Sequence, residues 1–316
     1  MNAVQRYICG RLASALPVLF GVSLLAFGLG QLSPGDPAEI MLEGTGMGMP
    51  SAEEVAALRS YLGLDQPWYA QYGLWLRRLL HGDGGMSYHL GMPVFTALLD
   101  RLPVTAALAA AALVWAVVGG LGLGLAMAYL RGTMWEQMVR GATQVMLATP
   151  SFLTAILLIL VFGVWLHILP TNGVESAAGY VLPSLALALV TLAMTAQLLD
   201  SQLRGALSSF YARVARMRGL GEGRVLLVYA LPNAMLPVAA MLGNFFAAVL
   251  GGAIVVETVF ALPGIGSLAL DAIYYRDYPL LQGYVLFLGA IYVLVTLAVD
   301  LLLARMDPRI LPGGER

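Results

Sequence analysis

Six apolar runs, near residues 12–32, 104–130, 142–166, 180–199, 232–256 and 283–303, divide this chain, and each is long enough to cross a bilayer as a helix. A hydrocarbon core takes about 20 residues of helix, and inside it every backbone N–H and C=O must find its partner within the segment. The pattern therefore predicts an all-α integral membrane protein with six transmembrane helices. Composition agrees, since 59% hydrophobic and 11% charged residues leave too little polar surface to cover a soluble globule of 316 residues. Arg6 and Arg11 precede the first run as they would in a signal peptide. The run exceeds the ~7–15-residue core of such a peptide, so we read an uncleaved anchor.

With the N-terminus inside, 12 of the 17 basic residues fall on the cytoplasmic side: Arg6, Arg11, Arg131, Arg140, Arg204, Arg213, Arg216, Arg218, Arg224, Arg305, Arg309 and Arg316. This is the asymmetry that orients membrane proteins, and it places both termini in the cytoplasm. Residues 33–101 then lie outside. This stretch carries Asp36, Glu39, Glu43, Glu53, Glu54, Asp65, Asp83 and Asp100, too much charge to span. Within it, residues 52–62 and 68–80 repeat apolar positions at helical spacing, the second with Trp68, Tyr69, Tyr72 and Trp75 as aromatics suited to a membrane interface. The organisation expected is a cytoplasmic end and first span (1–32), a small helical external segment (33–101) and a core of five spans (102–316), with a cytoplasmic loop at 204–231.

Several chemistries lack their residues. All 17 basic residues are Arg, so the chain has no lysine for a Schiff base or a phosphate-binding P-loop. Cys9 is the sole cysteine, which leaves no disulfide framework and no cysteine metal site. His81, Met86, His89 and Met92 lie close in sequence but match no tight ligand spacing, and His167 suits an interfacial position, so no metal site is expected. Gly119, Gly120, Gly122 and Gly124 lie inside an apolar helix, where Gly120 and Gly124 suit close helix packing rather than a nucleotide loop. Nothing suggests a nucleic-acid partner. No span pairs a nucleophile with a base, so an intramembrane hydrolase is not indicated. An ion-gradient transporter needs an ionisable group in mid-span. Asp200, Glu257 and Asp300 are instead expected near span ends, within reach of water. Thr143, Gln144, Thr149, Ser151, Thr191, Thr195, Gln197 and Asn244 are uncharged polar groups within or beside spans. They would suit a solute path, for which Ser151, Thr195, Gln197 and Asn244 are the candidates, and equally hydrogen bonds between helices.

The segment Tyr211-Ala-Arg213-Val-Ala215-Arg216-Met-Arg218-Gly219-Leu220, followed by Ala234-Met-Leu-Pro237, alternates small residues with charge. Ala212, Ala215 and Gly219 form a smooth strip suited to a groove in another protein, with Arg213, Arg216 and Arg218 projecting. A second segment breaks a helix with Pro263, Gly264 and Gly266 after Glu257, and then runs Arg276-Asp277-Tyr278-Pro279. There, Arg276 is expected to settle its charge beside Asp277. Both segments resemble the dipeptide, oligopeptide and nickel branch of ABC importer permeases. So do Ser33-Pro-Gly-Asp36-Pro37, Leu62-Gly-Leu-Asp65-Gln-Pro67, Arg101-Leu-Pro103-Val-Thr105 and Met306-Asp307-Pro308-Arg309-Ile310, a likeness that runs the length of the chain.

The resemblance implies the type I importer permease fold and a subunit without catalysis of its own. It implies a second homologous permease, two ABC ATPase subunits that bind ATP and Mg, an external solute-binding protein and a bacterial inner-membrane setting in contact with lipid. It makes 208–220 the ATPase-coupling loop, through Tyr211, Arg213, Ala215, Arg216, Arg218 and Gly219, and makes Glu257, Pro263, Gly264, Arg276 and Asp277 an external loop signature. Di- and oligopeptides are the leading cargo, with nickel or a metal chelate, or glutathione, as alternatives.

Overall fold

The computed structural model describes residues 3–32, 35–43, 50–173 and 176–306. Ser33-Pro34 of the first motif and residues 307–310 of the last lie outside these residues. In chain order the elements are α1 (Ala3–Leu32), α2 (Pro37–Glu43), α3 (Ala52–Leu62), α4 (Trp68–Leu80), α5 (Val94–Tyr129), α6 (Met134–Ala148) and α7 (Ser151–Leu158). There follow α8 (Val181–Ser208), α9 (Phe210–Met217), α10 (Glu222–Arg224), α11 (Leu231–Leu250), α12 (Ile254–Val259), α13 (Ile265–Tyr274) and α14 (Tyr278–Met306). Wide helical turns at Ile159–Trp165 and Val225–Ala230 extend α7 and lead into α11.

Among the described residues, α1, α5, α8, the α10–α11 stretch and α14 are each long and apolar enough to span, and the sixth crossing is a bent pair. Helices α6 and α7 meet at 105°. The run at 142–166 therefore does not form one straight helix. Its break falls at Thr149-Pro150, where proline has no N–H to give and forces the residue before it out of helical geometry; Thr149 has φ −92°, ψ 120°.

Three other boundaries move for physical reasons. Helix α5 starts at Val94, ten residues ahead of the apolar run, and carries Pro103 inside it. Helix α8 continues to Ser208 because Asp200 and Arg204 are paired and so tolerated within it. The fifth span stops at Leu250 rather than 256, since Gly252 takes φ 110° and turns the chain into the short α12.

The centre of the bundle is the α5–α8 seam. A Cβ added to Gly120 would lie 2.6 Å from Thr195 Cβ, and one on Gly124 2.9 Å from Leu199 Cδ2. Between membrane helices such close approach supplies the dispersion contact that hydrophobic exclusion cannot, because lipid is as apolar as leucine. Leu199, Leu203, Ala230, Ala234 and Val238 join α8 and α11 to this seam.

Helix α3 has a full capping box, Ser51 with Glu54, and ends at Gly63 with φ 72°. Helix α4 lies against α1: Ser23 Oγ is 2.8 Å from Tyr72 Oη, and Phe27 packs on Tyr72 and Trp75. Two of the four aromatics expected at the interface thus hold α4 to the first span, while Trp68 and Tyr69 stay exposed.

Candidate functional site

Helix α9 is held from behind. Ser209 caps it, accepting from Ala212 N at 3.5 Å while its hydroxyl donates to Ala206 O. Gly219, at φ 80°, closes the other end, with Gly219 N bonded to Arg216 O and Leu220 N to Ala215 O. Ala212 and Ala215 are buried against Val225, Leu207 and Leu220 of the same chain. This corrects the expectation of a small-residue strip facing a partner, because only alanine lets α9 lie this close to the Val225 turn. The outward face is bulky instead. Phe210 is 75% and Met217 86% exposed, and Tyr211, Arg213 and Arg218 stand beside them. Arg216 does not project freely; it donates to both Glu222 oxygens, at 2.7 and 3.2 Å, and to Leu207 O at 2.9 Å.

Above α9 lies an ion network that spacing alone did not reveal. Arg140 Nη2 reaches Glu136 Oε1 at 2.9 Å and Asp200 Oδ2 at 2.8 Å; Arg204 Nη2 reaches the same two atoms at 2.6 and 2.9 Å. Asp200 is buried, contrary to its expected access to water, and two guanidinium groups compensate it. The signal was present as two pairs at four-residue spacing, Glu136 with Arg140 and Asp200 with Arg204. The network ties α6 to α8 where α8 runs down to α9.

The four candidates for a solute path do not converge. Thr195 is fully buried in the α5–α8 seam and donates to Thr191 O at 2.7 Å, so it is a packing residue. Gln197 Nε2 donates to Thr143 Oγ1 at 3.1 Å, a bond between α8 and α6. Ser151 begins α7, half-buried, directly after the bend, and Asn244 is exposed on α11.

On the other side, Glu257 is fully buried rather than solvated. Thr105 Oγ1 donates to its Oε1 at 2.8 Å and Ser267 N to its Oε2 at 2.9 Å, which sets the carboxylate at the N-terminus of α13. Ile265 N donates to Thr105 Oγ1 at 2.9 Å and completes the knot. A Cβ on Gly264 would fall 2.3 Å from Glu257 Cδ, and one on Gly266 2.9 Å from Glu257 Oε2. These two glycines leave room for the carboxylate, and Pro263 precedes them in the turn.

Asp277 is also fully buried and takes Ser87 Oγ at 2.5 Å, His89 N at 3.0 Å and Leu280 N at 3.2 Å. It thus caps α14 and fastens the last external loop. Its partner is not Arg276, which is exposed at φ 53°. His89 stacks on Tyr275 with centroids 3.6 Å apart, and burial, helped by Asp277 and Tyr278, pushes the Tyr88 phenol up to about 12. Among the described residues no group of three or more His, Cys, Asp or Glu could hold a metal.

Residues 120–312 match the family described as binding-protein-dependent transport system inner membrane component, and residues 4–109 match the N-terminal part of such membrane components. A chain of Brucella suis biovar 1, named as a peptide transport system permease protein, is 39% identical over 96% of this chain and 98% of its own length. The glutathione transport system permease protein GsiC of Escherichia coli K12 is 36% identical over 96% of this chain and 98% of its own. Among solved structures, the MetNI methionine ABC transporter in inward-facing conformations aligns with TM-score 0.57 at 15% identity, covering 67% of this chain and 97% of that one. An amino acid ABC transporter crystallised with histidines aligns at TM-score 0.51 and 19% identity, covering 68% of this chain and 95% of that one. These two likenesses speak for the fold alone. An all-helical bundle of spanning helices with the permease fold, carrying a helical segment between its first two spans and a motif-bearing loop after α8, is a multi-pass membrane subunit of an ABC importer: this chain belongs to the family of binding-protein-dependent transport system inner membrane components.

Proposed function

We propose that this chain forms one half of a translocation path for di- and oligopeptides, glutathione-like peptides included. It pairs with a second homologous permease, works with two ATPase subunits that carry the ATP and Mg, and receives cargo from an external binding protein. Both termini lie in the cytoplasm, as the arginine distribution supports. The observation that carries the coupling role is the division of α9: an inner face buried on its own chain and an outer face of Phe210, Tyr211, Arg213, Met217 and Arg218 left exposed. Aromatic, Met and Arg side chains are the types enriched at protein interfaces. Closure of the ATPases draws α9 and its counterpart together, and the Glu136–Arg204 and Arg140–Asp200 contacts pass the movement to α6. The cargo class rests on the peptide and glutathione systems named for the full-length relatives.

The test is uptake of a labelled dipeptide, labelled glutathione and nickel in cells with and without this chain, before and after the proton gradient is collapsed with ATP maintained. Peptide or glutathione uptake should depend on the chain and survive collapse of the gradient. Chain-dependent uptake of nickel alone would overturn the cargo class, and loss on collapse would overturn coupling to ATP.

A further inference from the structure

The seam between α1 and α14 opens into a groove of about 160 Å³ bordered by Arg11, Ala15, Tyr292, Thr296 and Asp300. Its floor is unusual for a seam between two apolar helices. Thr296 Oγ1 and Asp300 Oδ2 are both buried, and neither has a hydrogen-bond partner among the described residues. Arg11 Nε lies 3.1 Å from Asp300 Oδ2, close enough for charge attraction but off the line a hydrogen bond requires. Its guanidinium is drawn toward Tyr7 instead, with Nε and Nη2 at 3.3 and 3.2 Å from the Tyr7 hydroxyl. A buried acceptor left unsatisfied costs about 1–3 kcal/mol, more when charged, so this floor favours any occupant that brings a donor.

Depth says what the occupant is. About 30 Å of helix separates Arg11 from the far end of α1 at Leu32, and a similar length separates Asp300 from the start of α14 at Tyr278. That is the thickness of a hydrocarbon core, so the groove sits at the headgroup level of the leaflet that holds the N-terminal end of α1. Leu12, Leu16 and Val18 of α1 and Tyr292 and Leu294 of α14 are exposed next to it, a surface for acyl chains.

We propose that this groove binds a zwitterionic phospholipid with a primary ammonium headgroup, of the phosphatidylethanolamine type. Arg11 swings outward to the phosphate, and the ammonium takes its place over Asp300 and donates to Asp300 Oδ2 and Thr296 Oγ1. A phosphatidylglycerol headgroup offers Arg11 the same phosphate but brings Asp300 no cation.

The assembled transporter is reconstituted in nanodiscs of phosphatidylethanolamine and phosphatidylglycerol in equal amounts, and the lipid retained after transfer to detergent is counted by native mass spectrometry. The unaltered protein should retain phosphatidylethanolamine in preference to phosphatidylglycerol. Asp300→Asn should cut that preference by about tenfold, the loss expected of one charge-assisted bond. Ala15→Leu keeps every polar group and fills the groove from the α1 side, so it should cut retention without touching the charges. Equal retention of the two lipids, or retention unchanged by both substitutions, overturns the proposal. So does absence of retained lipid because the groove is covered by another subunit.

Discussion

The Ser87 hydroxyl donates a 2.5 Å hydrogen bond to the Asp277 carboxylate, joining the loop that leads into α5 to the start of α14 across 190 residues of chain. With His89 N on the same oxygen, the segment between α1 and α5 is latched to the final span. Asp277→Ala strands these two donors and Leu280 N and should cost about 3 kcal/mol or more, whereas Ser87→Ala should cost about 1.5 kcal/mol. The double mutant should cost less than the sum by about 1–2 kcal/mol, read from thermal unfolding of the purified protein in one detergent. Strict additivity would show that the latch does not exist.

Gly264→Ala drives a Cβ into the Glu257 carboxylate and should destabilise by about 1–3 kcal/mol. In a Glu257→Ala background the same change should be close to neutral. Thermal melts of the four proteins decide it, and an undiminished penalty in the second background would break the steric account.

Gly120→Ala meets Thr195 in the α5–α8 seam and should lower thermal stability by a similar amount, while Gly122→Ala, with no atom within 4 Å of the added Cβ, should be neutral or slightly stabilising. Equal effects at both positions would refute close packing as the reason for the glycines.

Asp200→Ala leaves the two arginines only Glu136 to share and should cost about 3 kcal/mol. Arg140→Gln or Arg204→Gln should cost less, because each arginine is more than a third exposed and each change leaves the other on Asp200. Abundance in the membrane and melting temperature would both register the ordering.

Tyr88 gives a pH dependence of definite sign. Its phenol is pushed up to about 12 in the folded chain against an ordinary value near 10, so its stabilising effect is complete below about pH 10 and is lost as pH rises toward 12. Tyr88→Phe should flatten that alkaline fall in melting temperature, and an unchanged alkaline limb would count against the assignment.

On α9, Met217→Glu with Arg218→Glu should lower transport by about tenfold or more without moving the melting temperature, because both side chains face outward. Arg216→Glu should lower the melting temperature as well, since it breaks contacts to Glu222 and Leu207 within the chain. Transport that stays normal in the double mutant would remove α9 from the docking surface.

The bundle was legible in the sequence because hydrocarbon imposes one solution on a long apolar run. The partners of buried polar groups were not. Glu257 reads as solvated because it falls near a span end, and Asp277 reads as the partner of its neighbour Arg276, yet the chain folds back and buries them against Thr105 and Ser87, far off in sequence. Thr195 looked like a pore residue for the opposite reason: a hydroxyl in a span satisfies itself on the preceding turn, at Thr191 O, and needs no water. The bend at Thr149-Pro150 was announced by its proline, but the apolar residues on either side hid it. On α9, Ala212 and Ala215 told of closeness without telling to what.

That last arrangement separates two kinds of change the chain can tolerate. The alanines and Gly219 fix where α9 sits, while Phe210, Tyr211, Arg213, Met217 and Arg218 are exposed on its outward face. Under the docking role proposed for α9, partner choice can drift, or be rewritten by design, through a handful of outward side chains, so that a permease of this build could be reassigned to a foreign motor without redesigning its anchorage.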